Sequence, residues 1–435
     1  MTSAPSFSHI GTRGRRQPTV MRSGRHHSFG FWVVALAFLV NMGFSAVPTP
    51  LYALYQKRDH FSTLMVTVVY AVYAIGVIGS LFLGGHVSDW VGRKQVFVPA
   101  LLINVVSALV FLFVPSLPGL LIARVVTGIS VGLTTATATA YLAELHVGIF
   151  SGNVPRSPHR ARVIATAANL GGIGFGPLAA GLLAQFAPQP LRLPYIVFGG
   201  VLIVLALLVA ASPETTVRPD PTPAWRPQRI AVPPDARGAF FAATAAGVAS
   251  FAVFGVFNSL APSFLAGTLH ETSAAVAGAV AFAAFAAGAV AQILLSRLGV
   301  NATLRISMVI LTPGLALLIG GMWLPSLAMF VLGGVLTGAG AGLVFRGALV
   351  AAGAAAPPES RAEVLSGFFL GAYVGLSVPV LGLGVATQYA PAREVMLVFV
   401  AIVIVALVAS LRAVVGADSV IRRSDGDDPE PVQAA

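Results

Sequence analysis

Long apolar runs alternate with short polar connections along almost the whole chain. Apolar stretches of at least 18 residues recur, and each is long enough to cross a hydrocarbon core of about 30 Å as a helix. The pattern predicts twelve spans, near 31–55, 62–84, 96–114, 117–143, 161–187, 193–212, 239–266, 273–295, 305–324, 325–352, 364–389 and 394–416. One connection is unusually charged for its length: Gly85 to Lys94 reads Gly-His-Val-Ser-Asp-Trp-Val-Gly-Arg-Lys. It must lie at a water interface, because unsatisfied backbone and charged side chains in lipid cost several kcal/mol each.

The longest polar interior stretch, from Pro213 to Arg237, is rich in Pro and Arg and divides the spans six and six. The expected organisation is a basic disordered tail (1–30), a six-helix bundle (31–212), a linker (213–238), a second six-helix bundle (239–416) and a second disordered tail (417–435). The fold class is therefore an all-α membrane protein with twelve transmembrane helices in two pseudo-symmetric bundles.

Composition agrees: 57% of the 435 residues are hydrophobic and 9% charged, against about 25% charged in a soluble domain. Mean hydropathy is +0.87. A soluble globule is excluded. The net charge of +11 raises a nucleic-acid reading, but arginine supplies 24 of the 26 basic residues and they sit in tails and loops. Membrane topology explains them better. With residues 1–30 assigned to the cytoplasm, cytoplasmic segments hold 20 Lys and Arg. Extracytoplasmic loops hold four (Lys57, Arg58, Arg192, Arg393), and Arg124 and Arg346 fall inside spans. This asymmetry predicts a cytoplasmic membrane protein with both termini inside, its tails beside anionic lipids. No nucleic-acid partner is expected. Cysteine is absent, which excludes disulfides and thiol nucleophiles, and the histidines read as loop or tail residues without metal-ligand spacing. His26 and His27 read as solvated tail residues. No metal, cofactor or ATP-binding loop is expected.

The halves also look duplicated. Pro115-Ser-Leu117 recurs as Pro325-Ser-Leu327, and Thr127-Gly128 with Gly132-Leu133 recurs as Thr337-Gly338 with Gly342-Leu343, at a common offset of 210; eight of 19 aligned positions are identical. Such duplication underlies many secondary transporters.

Twelve spans arranged six plus six with this loop resemble the major facilitator superfamily. Gly85, Asp89, Gly92, Arg93 and Lys94 fall at the spacing of its signature between helices 2 and 3. Arg124-Val-Val-Thr-Gly128 with Gly132 matches a helix 4 motif. Gly172, Gly176-Pro177 and Gly181 in helix 5 look like the motif of the antiporter and drug-exporter branches, although Ala180 stands where glycine is usual. The resemblance covers residues 31 to about 416. It implies a transporter in which the Gly85–Lys94 loop locks the cytoplasmic side and Asp89 approaches the start of helix 11, where Ser360 and Glu363 fit a capping box. Glu144, at the end of helix 4, is a candidate partner for the loop cations. The equivalent second-half loop, 296–305, has no acid. The competing account is that the loop charges serve only insertion, but Asp89 adds nothing to a positive-inside signal.

Arg124 sits about seven residues into its span, where a cation is costly unless it faces protein or a cavity. The resemblance suggests a part in proton or substrate coupling. Arg346 is the second embedded charge and a candidate substrate contact; the competing role is extension of its side chain to the cytoplasmic face. Asn41, Asn169, Asn258, Gln292 and Tyr373 are candidate substrate contacts in an apolar wall; interhelical hydrogen bonding is the competing role for each. Gly176-Pro177, Pro48, Pro50, Pro262 and Pro379 read as bend points. All 15 acids fall in tails, loops or helix ends, so proton coupling rests on the resemblance and would use Glu144, Asp89 or Asp59. The expected function is a monomeric secondary transporter of a small hydrophobic or amphiphilic molecule, an efflux proton antiporter. A metabolite or sugar importer or facilitator is the alternative within the fold. A membrane sensor or a membrane-embedded enzyme are the alternatives outside it.

Overall fold

The computed structural model describes residues 21–149, 159–216, 226–227, 232, 234, 237–356 and 361–424. These residues contain twelve helices long and apolar enough to cross a membrane. In chain order they are α1 (His26–Asp59), α2 (Thr63–Gly84), α3 (Arg93–Phe113), α4 (Leu117–Ile149), α5 (His159–Phe186) and α6 (Leu193–Ala210), then α7 (Arg237–Ser259), α8 (Ala274–Leu294), α9 (Val300–Trp323), α10 (Leu327–Ala354), α11 (Glu363–Ala386) and α12 (Ala392–Ala413). The bundle end that carries Gly85–Lys94 is called the loop end below; α1, α3, α5 and α7 start there and run to the far end. Serine side chains cap the far-end starts of α2, α8 and α10: Ser62, Ser273 and Ser326 accept from the backbone N–H groups of Met65, Val276 and Met329.

Several boundaries differ from the sequence pattern. Helix begins at Met21, inside the segment read as a basic tail, and α12 continues in helix to Ser424, inside the segment read as the second tail. His27 lies on helical backbone and is half-buried, because Gly148 of α4 leaves room for its ring: a Cβ there would lie 2.4 Å from the imidazole. His146 is buried within α4, 5.9 Å from the Phe31 ring, and is not a loop residue.

The prolines divide into two groups. Pro50 lies in a 3-10 turn, Thr49–Leu51, capped by Pro48, that interrupts α1. Pro262 opens a short helix, Ala261–Thr268, that follows α7 after a break at Leu260. Pro177 and Pro379 lie within continuous helices. A proline costs less at a helix start, where its missing N–H has no partner to lose.

Two hydrophobic cores form. One draws on residues from Phe31 to Val209 and takes in Tyr373, Leu376 and Val380 of α11; the other runs from Phe240 to Leu407. The sequence repeat explains how each is assembled. Gly128 brings α4 onto α2, where a Cβ would lie 2.1 Å from the Tyr73 carbonyl, and Gly338 brings α10 onto α8, where a Cβ would lie 2.1 Å from the Ala284 carbonyl. Equivalent glycines thus make equivalent helix crossings, as close small-residue contacts do in membrane bundles.

The halves meet along α5 with α8 and α2 with α11. Hydrogen bonds across these seams gather at mid-depth and toward the far end. Thr49 donates to the Asn258 carbonyl at 2.9 Å, Ser263 to Gln56 at 3.1 Å, the Ala274 N–H to Gln185 at 3.1 Å, and Ser377 to the Ala71 carbonyl at 3.3 Å. At the loop end the cross-half bond among the described residues is His159 to Ser296, 3.1 Å. Among the described residues the hydrogen bonds between the halves are thus concentrated at mid-depth and the far end, with one at the loop end.

Candidate functional site

At the loop end, a short helix, Ser88–Val91, is stopped by Gly92, whose φ of 127° favours a residue without a side chain. The reversal starts α3 at Arg93, whose side chain is only 11% exposed and lies 2.7 Å from Glu144 of α4. The same guanidinium pairs with Asp89 and donates to Ser88 Oγ at 2.8 Å. Glu214, three residues beyond the C-cap of α6, accepts from the Arg93 and Lys94 N–H groups at 3.0 Å each, so a carboxylate sits on the positive end of α3. Thr215 donates to Glu144. Lys94 reaches the carbonyls of Ala210 and Ser212 at 3.1 and 3.3 Å, the end of α6, and not a lipid surface. The arrangement can tie α3, α4 and the start of the inter-half segment into one charged latch.

Among the described residues Asp89 has a nearer partner than the one the resemblance implies. Its side chain is 61% exposed and its partner is Arg93, four residues on. Docking on the start of α11 is not seen among the described residues, and Ser360 of the capping box lies outside them.

Arg124 is 1% exposed. Its guanidinium donates to the Ser45 carbonyl at 2.6 Å and to the Val69 and Tyr70 carbonyls at 3.4 Å, with the Tyr73 ring 4.6 Å below it. Backbone oxygens and ring faces therefore replace a carboxylate, which is how a cation survives burial here. Its repeat counterpart Gly334 faces the Phe257 ring instead, 3.1 Å from where a Cβ would stand.

The polar candidates separate into spent and open groups. Asn41, fully buried, donates to Thr134 at 2.8 Å and Ser130 at 3.2 Å and accepts from Asn104 at 2.8 Å. That amide is consumed inside the first half and faces no opening. Asn258 holds Thr49 in the far-end fastening and lies against Tyr70. Tyr373 is buried and faces Thr135 across the seam. Asn169, Gln292 and Arg346 stay half-buried on α5, α8 and α10. Arg346 donates to the Leu295 carbonyl at 2.7 Å and to that of Ser296, at the end of α8.

The helix 5 motif is packing surface along its length. Gly172 and Gly176 admit the Leu39 and Gly43 carbonyls of α1, the Pro177 carbonyl touches Gly278 of α8, and Gly181 touches Ala274. One face of α5 therefore lies on α1 in its own half and the other on α8 in the opposite half.

Sequence reasoning missed Glu214, Asn104, Arg162 and the Tyr70–Tyr73 pair. A lone acid straight after a span, a lone amide within one, and tyrosines three residues apart were the available signals.

Comparison with known proteins agrees with this architecture. The Major Facilitator Superfamily sequence profile matches residues 33–314. An uncharacterized MFS-type transporter, MJ1560, of Methanocaldococcus jannaschii is 26% identical over 190 residues, 42% of this chain and 44% of that protein. The chain thus spans less than half the length of the curated relative it matches. A point-mutant nucleoside transporter NupG superimposes with TM-score 0.67 at 15% identity, covering 88% of this chain and 99% of that one. A bacterial homolog of the human lysosomal transporter Spinster, inward-facing and occupied, gives 0.64 at 16% identity, covering 89% and 97%. These likenesses show the fold.

Proposed function

The chain belongs to the major facilitator superfamily and is a multi-pass membrane transporter; from that premise we propose that it moves a small hydrophobic or amphiphilic molecule across the cytoplasmic membrane by alternating access, as an efflux proton antiporter. The observation that carries this reading is the asymmetry of the seams: among the described residues the hydrogen bonds between the halves, Thr49–Asn258 and Gln56–Ser263 among them, lie mostly at mid-depth or the far end, and one, His159–Ser296, at the loop end. The excess of arginine in the segments on the loop side supports a cytoplasmic loop end and cytoplasmic termini. The latch of Arg93, Asp89 and Glu144 supports a gating role for the loop, since protonating either acid would loosen Arg93. Few polar groups stay open, which suits an apolar substrate body better than a sugar.

One observation favours a second reading, facilitated movement without a coupled proton. Asp89 and Glu144 share one arginine, Asp59 pairs with Arg58, and all three stand at helix ends or in a connection. Uptake into everted vesicles under an imposed pH gradient separates the two readings. The antiport reading requires flux that follows the gradient and falls in Asp89→Asn. Flux indifferent to the gradient removes antiport and leaves the facilitator.

A further inference from the structure

We propose that the seam between the halves, toward the loop end, binds a planar, amphiphilic organic anion, with its apolar body on Phe251, Phe345 and Phe369 and its charge between Arg162 and Arg346. The proposal rests on the transporter reading and narrows its substrate class.

The aromatic part is a connected platform. The Phe251 ring lies 4.9 Å from Phe345 and 5.5 Å from Tyr373, and Phe345 lies 6.1 Å from Phe369. These three phenylalanines are half-buried, whereas Phe257, Phe330 and Phe368 in the second core are at most 1% exposed. Phe369 packs against both cores, which puts the platform between the halves and not inside either one. Counted from the loop end of α11 at 1.5 Å per residue, Phe369 is about 10 Å deep, within reach of a molecule entering there. Planar rings offer stacking faces to a planar guest.

The charged part adjoins the platform. Arg346 follows Phe345 on α10 and holds the end of α8 through the Leu295 and Ser296 carbonyls. His159 of α5 reaches Ser296 Oγ, so three helices converge on that residue. One turn along α5 from His159 stands Arg162, exposed, with its charge bearing on Arg346. The ion pairs among the described residues are Arg58–Asp59, Arg93–Asp89 and Arg93–Glu144, and neither Arg162 nor Arg346 takes part. Like guanidinium charges on adjoining helix ends repel, and an anion placed between them reverses the sign of that interaction. Arginine forks suit carboxylate, sulfonate or phosphate groups. A cationic guest would add to the repulsion, and a neutral one would leave it in place.

The test is calorimetric titration of the full chain in phosphatidylcholine nanodiscs with naphthalene-2-sulfonate and its neutral isostere naphthalene-2-sulfonamide. The expected result is at least tenfold tighter binding of the sulfonate. Arg162→Gln, at an exposed position that leaves packing intact, should abolish that preference while leaving sulfonamide binding unchanged, and Phe345→Leu should weaken both ligands. Equal binding of the two compounds by the parent chain would overturn the proposal. So would an unchanged preference in Arg162→Gln that elutes as a monodisperse species. Loss of sulfonate binding when phosphatidylglycerol replaces phosphatidylcholine would also overturn it, by assigning the arginines to lipid headgroups. Binding without flux in vesicles supports the site while removing the transport reading; flux of neutral compounds with no preference for anions does the opposite.

Discussion

Arg93 and Glu144, 51 residues apart, meet at 2.7 Å at the loop end, and their pairing joins the start of α3 to the end of α4. Glu144 is one-third exposed, so solvent screens the pair and its removal should cost stability modestly, about 1 kcal/mol. The functional effect should be larger, because Arg93 and Thr215 both lose the carboxylate they share. Glu144→Gln is expected to lower the unfolding temperature in detergent by a few degrees at most, and to reduce vesicle flux severalfold. A variant with parental flux would show that the latch does not gate.

Arg124 is a different case, since three carbonyls and two tyrosine rings depend on it. Arg124→Ala should leave the buried Ser45 carbonyl unpaired and open a cavity, costing about 3 kcal/mol. Arg124→Lys keeps the charge but cannot span all three acceptors, and should recover only part of that loss. Thermal unfolding of both variants, measured in one detergent, checks the ordering.

The repeat predicts paired outcomes. Gly128→Ala and Gly338→Ala each place a Cβ 2.1 Å from a backbone carbonyl of the facing helix. Each should destabilise by about 1–3 kcal/mol, the usual cost of overpacking. Gly171→Ala, with no atom within 4 Å of the new Cβ, should be neutral or slightly stabilising. Unequal effects at Gly128 and Gly338 would break the equivalence of the two crossings.

Asn41 and Asn169 should behave oppositely. Asn41→Ala strands Asn104 and Thr134, so it should lower stability by about 2 kcal/mol and leave KM unchanged in the protein that folds. Asn169 has no side-chain partner among the described residues and is half-buried. Asn169→Ala should shift KM severalfold with the unfolding temperature unchanged. Transport kinetics beside a melting curve distinguish the two roles.

Both arginines inside spans were visible as costly charges, and Glu144 was visible as a possible partner for the loop. Asn41 and Asn169 looked alike as amides in apolar helices, although one is spent and the other open. The difference lies with Ser130, Thr134 and Asn104, which reach Asn41 only when α3 and α4 pack on α1. The resemblance ties Asp89 to α11, whereas among the described residues Arg93, four residues on, takes the carboxylate.

The sequence by itself determined the twelve spans, the division into halves, the charged loop and the duplicated glycine crossings. Those follow from hydropathy, length and repetition, which are properties of the chain read in one dimension. Tertiary packing decides which polar groups are satisfied, where the bonds between the halves lie, and that Arg346 and His159 meet at Ser296 near an aromatic platform. Backbone carbonyls such as that of Ser45 carry no residue-type signature, and helical periodicity gives a face without naming the helix that will cover it. Whether a buried charge is caged or open is therefore settled by packing between segments distant in the chain.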